Sequence, residues 1–164
     1  MEARQWQDER FVEALKLHRS AMYRVAHAML RSQTDAEDAV STATVNAYQH
    51  ISRLRSWDAV RPWLMRITVN ACNTTLRKRK REIPYDTQSY LESTQVYRDE
   101  TPIWMYIEML PPAYASLMQM RYGEGMSLDE IGQSLSLSKG TVSSKLTRGK
   151  QKLRQIMEKE ADLP

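Results

Sequence analysis

The sequence is poor in residues that cross-link or interrupt a chain. Its 164 residues include one cysteine, Cys72, and only 5 glycines. A single cysteine cannot build a disulfide framework, which excludes the disulfide-stapled secreted class and favours the cytoplasm. Few stretches alternate between β-branched and polar residues, whereas several long segments repeat apolar residues with a helical period. This patterning indicates an all-α fold.

Long apolar segments are also absent. No run approaches the roughly 20 apolar residues that a membrane-spanning helix needs. The N-terminus, MEARQWQDER, is polar and has no apolar core of a signal peptide. The hydrophobic content of 41% is still enough for a globular fold, and the formal net charge of +4 favours polyanionic partners.

Signatures of catalysis are missing as well. The sequence has no G-x-S-x-G motif, no glycine-rich phosphate-binding loop and no Cys/His cluster with metal-ligand spacing. His18, His27 and His50 are scattered, and each is interpreted as an ordinary surface or core histidine. We therefore expect a protein that is not an enzyme and requires no cofactor or metal.

The segment 127–154 has the pattern of a helix, a short turn and a second helix. SLDE predicts a capping box between Ser127 and Glu130, and Ser138 is the predicted N-cap of the second helix. Because only two or three residues separate the helices, they must cross steeply, as in a helix-turn-helix. One stripe of the second helix is apolar and expected to be buried. It comprises Val142, Leu146, Gly149 and Leu153.

The opposite face of this helix carries hydroxyls and cations, with no carboxylate before Glu158. Such groups bond phosphates and base edges, whereas carboxylates would repel the DNA backbone. We interpret this face as a DNA contact in the major groove, although the residue pattern alone also fits a solvated helical hairpin. Its residues are Ser138, Lys139, Thr141, Ser143, Ser144, Lys145, Thr147 and Arg148.

A second polar stripe lies on the helix predicted for about 59–79, which leads into the basic run RKRKR. Amide and guanidinium groups repeat there with helical spacing and are suited to nucleic acid, although a solvated polar face has the same pattern. In the basic, aromatic connection before this helix, Trp57 can stack on an exposed base, whereas Trp63 is expected in the core. The stripe consists of Arg66, Asn70, Asn73 and Arg77.

These patterns divide the chain into two small helical domains, 1–81 and 101–164, joined by a flexible linker at 82–100, with the helix-turn-helix in the C-terminal domain. Within the first domain, 8–31 reads as a broken or paired amphipathic helix. TDAE then predicts a capping box between Thr34 and Glu37.

Three sequence motifs, taken in the order in which they occur along the chain, resemble motifs of a known family. TDAEDAV at 34–40, WLMRITVNACNTTLRKRKR at 63–81 and LPPAYASLMQMRYGEGMSLDEIGQSLSLSKGTVSSKLTRGKQKLR at 110–154 are similar to segments of regions 2 and 4 of bacterial extracytoplasmic-function (ECF) sigma factors. The resemblance covers almost the whole chain apart from the linker. It implies a dissociable subunit that directs core RNA polymerase to promoter DNA. It also implies an anti-sigma factor as a further partner, since the family often has a membrane-bound inhibitor of this kind.

The resemblance also implies roles for individual residues. It assigns Asp35, Glu37 and Asp38 to the clamp of the largest polymerase subunit; their alternative role is to stabilise the first turn of a helix through its dipole. It places Ser143, Ser144, Thr147 and Arg148 at the −35 element. It assigns the −10 element to the polar stripe and the connection at 52–61, where an unstacked non-template base would be held. The −10 residues are Arg55, Trp57, Arg61, Arg66, Asn70, Asn73 and Arg77.

The sequence departs from the family pattern at two places. Ser41 to Thr44 replace the usual Gln-Glu-Thr-Phe after the acidic motif. In the second helix of the helix-turn-helix, Ser143 replaces the usual basic residue, Lys145 replaces the usual arginine and Gly149 replaces the usual alanine. An arginine that could bind guanine through two hydrogen bonds is therefore missing at 143 and 145. The main alternative function is a polymerase-independent helix-turn-helix regulator. Such a regulator needs neither the acidic motif nor the second polar stripe.

Overall fold

The structure is a computed structural model that describes residues 1–82 and 102–161. In these ranges every regular element is helical, which confirms the all-α prediction. The predicted linker lies outside the described residues, apart from Glu82. No helix in the described ranges is long and apolar enough to cross a membrane. The helices are α1 (Glu2–Leu30), α2 (Gln33–Gln49), α3 (Val60–Glu82), α4 (Pro102–Glu108), α5 (Pro112–Met118), α6 (Leu128–Leu135) and α7 (Lys139–Ala161).

The first three helices pack against one another as an N-terminal group. The prediction of a broken helix over 8–31 is wrong, because α1 runs without interruption until Arg31 adopts a left-handed conformation (φ 53°) and ends it. Small side chains on α2 form the buried face that lets the neighbouring helices approach closely. They are Ala36, Ala39, Ala43 and Ala47.

The start of α2 also differs from the prediction. Ser32, rather than Thr34, is the N-cap, and its Oγ accepts the backbone N–H of Asp35 at 3.2 Å. Thr34 is therefore already inside the first turn, where a capping box with Glu37 cannot form. Glu37 instead accepts a hydrogen bond from Gln33 Nε2 at 3.2 Å.

The C-terminal group contains the predicted helix-turn-helix. The capping box of α6 has both of its hydrogen bonds: the Glu130 N–H donates to Ser127 Oγ at 3.1 Å, and the Ser127 N–H donates to Glu130 Oε1 at 3.3 Å. The turn passes through Ser136 in a left-handed conformation (φ 56°). Ser138 then caps α7 by accepting the Thr141 N–H at 3.2 Å.

The two groups of helices contact each other, chiefly α1 against α5 and α3 against α6. As a result, all six consecutive residues Val25–Leu30 at the end of α1 are buried. A helix that is buried all round is covered on more than one face. The end of α1 is thus packed on all sides, although its sequence predicted a single apolar face.

Candidate nucleic-acid interface

The polar face of α7 is oriented as the sequence predicts. Val142, Leu146, Gly149 and Leu153 are buried on one side. At Gly149 an added Cβ would lie 3.4 Å from Met118 Sδ, so α7 approaches α5 closely there. On the other side the predicted DNA-contacting side chains are exposed, except for the half-buried Lys145.

The polar stripe of α3 also lies on the surface of the protein. Arg66, Asn70, Asn73 and Arg77 are all exposed, while Leu64, Met65 and Cys72 on the opposite side are buried. Because the four exposed residues recur at i, i+4, i+7 and i+11, they form one line of donors along three turns of helix.

The connection between α2 and α3 is built from two short 3-10 turns, Ile51–Arg53 and Trp57–Ala59. Ser56 caps the second turn by accepting the Asp58 N–H at 3.2 Å. Trp57 is half-buried and meets the ring of Trp6 edge to face at 6.4 Å between centroids. The Arg10 guanidinium lies 5.1 Å from the Trp6 ring centroid and 5.2 Å from that of Trp57. Trp63 is also half-buried, so burial does not set Trp57 apart from Trp63.

The two predicted DNA surfaces meet at a groove between the helix groups. Arg55, Arg66 and Asn70 line it from the N-terminal group, and Lys139 at the start of α7 lines it from the other side. Asn73, Arg77 and the rest of the polar face of α7 do not line this groove. The sequence predicted two separate contacts, whereas the structure brings part of each together.

Arg61, the remaining −10 candidate, is engaged by a carboxylate across this boundary. Its Nε donates to Glu130 Oε2 at 2.8 Å and its Nη2 donates to Glu130 Oε1 at 2.7 Å. These hydrogen bonds raise the pKa of Arg61 and hold the pKa of the Glu130 carboxyl below its usual range. Glu130 therefore both caps α6 and binds α3.

Comparison with known protein families matches two segments of the chain, one containing α3 and the other containing most of α7. The model of sigma-70 region 2 matches residues 15–82, and the model of sigma-70 region 4 matches residues 101–153. Between them the two models take in more than half of the chain. The chain belongs to the sigma-70 family.

Its relatives include members of the ECF group. The chain is 28% identical to the ECF RNA polymerase sigma factor SigE of Mycolicibacterium smegmatis over 91% of its own length and 62% of that protein. It is 26% identical to the ECF RNA polymerase sigma factor SigW of Bacillus subtilis over 88% and 87% of the two chains. The fold resembles that of the sigma factor RpoE of Bartonella quintana, solved with the anti-sigma factor NepR, with a TM-score of 0.73, 19% identity and coverage of 90% and 96%.

The three acidic residues of α2, Asp35, Glu37 and Asp38, differ in their surroundings. Asp35 is paired with Arg79, whose Nε lies 3.2 Å from Asp35 Oδ2 and whose Nη1 donates to the Leu30 carbonyl at 2.9 Å. Glu37 and Asp38 are exposed. Since α2 starts at Gln33, only Asp35 lies in its first turn. The helix-dipole role predicted for all three residues therefore applies to Asp35 alone.

Sequence reasoning missed several residues at these surfaces. Trp6 and Arg10 sit in the polar N-terminus, where no periodic apolar pattern marks them. Arg79 is one of five basic residues in a row, and nothing local distinguishes the member that binds Asp35. Glu130 was recognised only as a helix cap, because its second partner is 69 residues away in sequence.

The described part of the chain holds no cluster of three or more His, Cys, Asp or Glu side chains that could bind a metal ion. Burial raises the pKa of the Cys72 thiol to about 12. A thiol with such a pKa is almost wholly protonated at neutral pH and is a poor nucleophile. The arrangement offers exposed hydrogen-bond donors on α3 and α7 and exposed carboxylates on α2.

Proposed function

We propose that the chain is a sigma subunit that directs core RNA polymerase to promoters and assists strand opening. The observation that carries the proposal is the pair of exposed stripes without carboxylates, one on α3 and one on α7, in the order of regions 2 and 4. A polymerase-independent regulator would need only the second stripe.

The first half of α7 is the proposed reader of the −35 element. Its hydroxyl and ammonium groups are suited to base edges and phosphates, and Val142 and Leu146 anchor the helix from the other side. Arg148 lies one turn beyond Ser144. We assign it to a phosphate, where it would position the helix without reading sequence.

The stripe on α3 and the connection before it form the proposed −10 site. Asn70 and Asn73 present amide donors and acceptors to base edges, while Arg66 and Arg77 are suited to phosphates. Trp57 offers part of an aromatic ring in the connection, where an unstacked non-template base is proposed to bind.

The exposed carboxylates Glu37 and Asp38 are the proposed contacts with the polymerase clamp. In this proposal the chain contributes binding and leaves catalysis to the core enzyme, and it works in the cytoplasm. Because RpoE of Bartonella quintana was solved with an anti-sigma factor, an inhibitor of that kind is a further proposed partner.

Run-off transcription tests the proposal. Core polymerase with the wild-type chain should transcribe from the DNA upstream of the chain's own gene, and core polymerase alone should not. Arg66→Ala should lower the yield, whereas Arg19→Ala, which removes an exposed arginine from α1, should leave it unchanged. Specific DNA binding without any polymerase-dependent transcript would favour the regulator instead.

A further inference from the structure

Two tryptophans and an arginine meet where the start of α1 contacts the connection between α2 and α3. Trp57, in the connection, is partly buried against the core, whereas Trp6 in α1 is 54% exposed. The two rings meet edge to face, with an angle of 85° between their planes. The Arg10 guanidinium lies against both rings. We refer to Trp6, Arg10 and Trp57 together as the indole corner.

Packing against the core explains the position of Trp57 but not the exposure of Trp6. Tryptophan side chains are highly buried on average, because a large apolar ring gains much from leaving water. Trp6 instead keeps more than half of its surface in solvent, while its contact with Trp57 holds the ring from one side. A ring that is supported and still accessible is suited to stacking on a planar ligand.

The positive charge of Arg10 is accessible as well. In the part of the chain that the structure describes, Arg10 forms no ion pair with a carboxylate, unlike Arg61 and Arg79. It is exposed and rests against the two indole rings. Aromatic rings beside a guanidinium are the combination that binds single-stranded nucleic acid, since the rings stack on bases and the cation neutralises a phosphate.

The indole corner lies next to the proposed −10 site. Arg55 lines the groove together with Arg66 and Asn70, and Trp57 follows Arg55 by two residues. Two residues of chain span at most about 7 Å. A non-template strand that contacts the stripe of α3 and passes Arg55 therefore comes within reach of the corner.

We propose that the indole corner holds an unstacked base of the non-template strand, with Trp6 rather than Trp57 supplying the ring on which it stacks. Arg10 binds the phosphate of that nucleotide, and the partly buried Trp57 supports Trp6. This rests on the proposed function, because the corner acts on the strand that opens at the −10 element. Every base has a flat face, so the corner adds affinity for the open strand and little preference for its sequence.

A substitution of Trp6 tests the stacking contact in the holoenzyme. Core polymerase with the full-length chain is titrated with a promoter duplex whose −10 segment is already melted by mismatches. Trp6→Leu keeps an apolar side chain but removes the flat ring, and should weaken binding about tenfold. The matched control is Leu17→Ala, which truncates another exposed apolar side chain of α1 and should bind as the wild type does. Equal affinities of the two variants would overturn the proposal, as would a loss of affinity for core polymerase that accounts for the whole effect.

A fluorescent base locates the contact on the strand. 2-Aminopurine, whose fluorescence is quenched by stacking, is placed at one non-template position at a time. One position should be quenched in the wild-type complex and brighter in the Trp6→Leu complex. Fluorescence that the substitution alters at no position would contradict stacking on Trp6.

The phosphate contact is tested by removing the charge of Arg10. Arg10→Gln should weaken binding of the melted promoter and lower the slope of affinity against salt by about 1. Arg19→Gln makes the same change in charge at another exposed position of α1 and should alter neither quantity. Identical behaviour of the two variants would remove Arg10 from the site. Should Trp6→Leu fail to fold by circular dichroism, this pair decides the proposal.

A titration without polymerase separates the indole corner from the proposed function. The full-length chain is mixed at low salt with a single-stranded oligonucleotide of scrambled sequence. Because stacking tolerates any base, Trp6→Leu should again bind about tenfold more weakly than the wild type and than Leu17→Ala. Equal affinities would overturn the corner even if run-off transcription succeeds, and the expected difference would support it even if run-off transcription fails.

Discussion

At the scale of single residues, the turn of the helix-turn-helix depends on a position that cannot carry a side chain. A Cβ added at Gly132 would lie 2.6 Å from the Leu137 carbonyl oxygen, which is backbone and cannot swing away. The Gly132 carbonyl also accepts the Leu137 N–H at 2.9 Å, so a shift would strain that bond. We expect Gly132→Ala to lower the free energy of unfolding by about 1–3 kcal/mol.

Gly140 provides the matched comparison for this change. It lies in the first turn of α7, and an added Cβ would meet nothing within 4 Å. Alanine there should leave stability unchanged or raise it by up to about 1 kcal/mol, because it restricts the unfolded chain. Urea unfolding of both variants measures the difference. Equal stabilities would mean that the turn can relax around the new methyl group.

The two sides of α7 should respond differently to truncation. Leu146 is 6% exposed, and Leu146→Ala should cost about 2–5 kcal/mol of stability through the cavity it leaves. Arg148 is exposed, so Arg148→Ala should leave stability unchanged and weaken promoter use. Holoenzyme is assayed on promoters with altered −35 bases at two salt concentrations. If Arg148 contacts a phosphate, Arg148→Ala should weaken transcription from every promoter alike and lower the salt dependence of promoter binding. If the variant instead loses discrimination at one −35 base, Arg148 reads that base.

The predictions of which side chains are buried, exposed or part of a helix cap succeeded where a local sequence pattern decides them. The apolar stripe of α7, the polar stripe of α3 and the capping box of Ser127 each follow from helical spacing over a few turns. The pairs Arg61–Glu130 and Arg79–Asp35 join residues 69 and 44 positions apart. Spacing within one helix carries no information about such partners.

At the scale of elements, α2 offers a test of polymerase binding that spares the fold. Asp35 is tied to Arg79, so its substitution would disturb the packing of α2 on α3. Asp38 is exposed and lies beyond the first turn. We expect Asp38→Lys to reduce co-purification with core polymerase while circular dichroism stays unchanged. Gln49→Lys, at the other end of α2, also adds a positive charge and should bind normally; equal loss in both variants would point to a general charge effect instead.

The errors at this scale concern where helices start and stop. The α1 sequence suggested a break because its apolar residues are unevenly spaced, yet Phe11 and Ala14 are buried and the helix continues through them. The start of α2 was misjudged because both Ser32 and Thr34 can serve as an N-cap. Local propensity does not choose between two such residues two positions apart, and the packing of the bundle decides.

At the scale of the whole molecule, the sequence predicted two helical domains but not that they pack together. The six buried residues Val25–Leu30 leave no side of α1 facing solvent there. A sequence reading assigns one buried face to a helix and has no means of finding a second, because the partner helices α4 and α5 lie beyond the linker. The association of the two groups is therefore a tertiary property.

This packing leads to an expectation for limited proteolysis that differs from that of two freely tethered domains. The segment 82–100 is polar and irregular in sequence, so a protease of broad specificity, such as proteinase K, should cut within it before it cuts 34–51 or 127–154. Stable fragments near 1–81 and 101–164 should result.

Because the end of α1 is covered by the C-terminal group, we expect the fragments to co-elute from a sizing column at micromolar concentration in low salt. A covalent connection supplies an effective concentration in the millimolar range, which cleavage removes. Separate elution of the nicked fragments would show that the contact depends on that connection, and early cleavage inside α2 or across α6 and α7 would contradict the division of the chain.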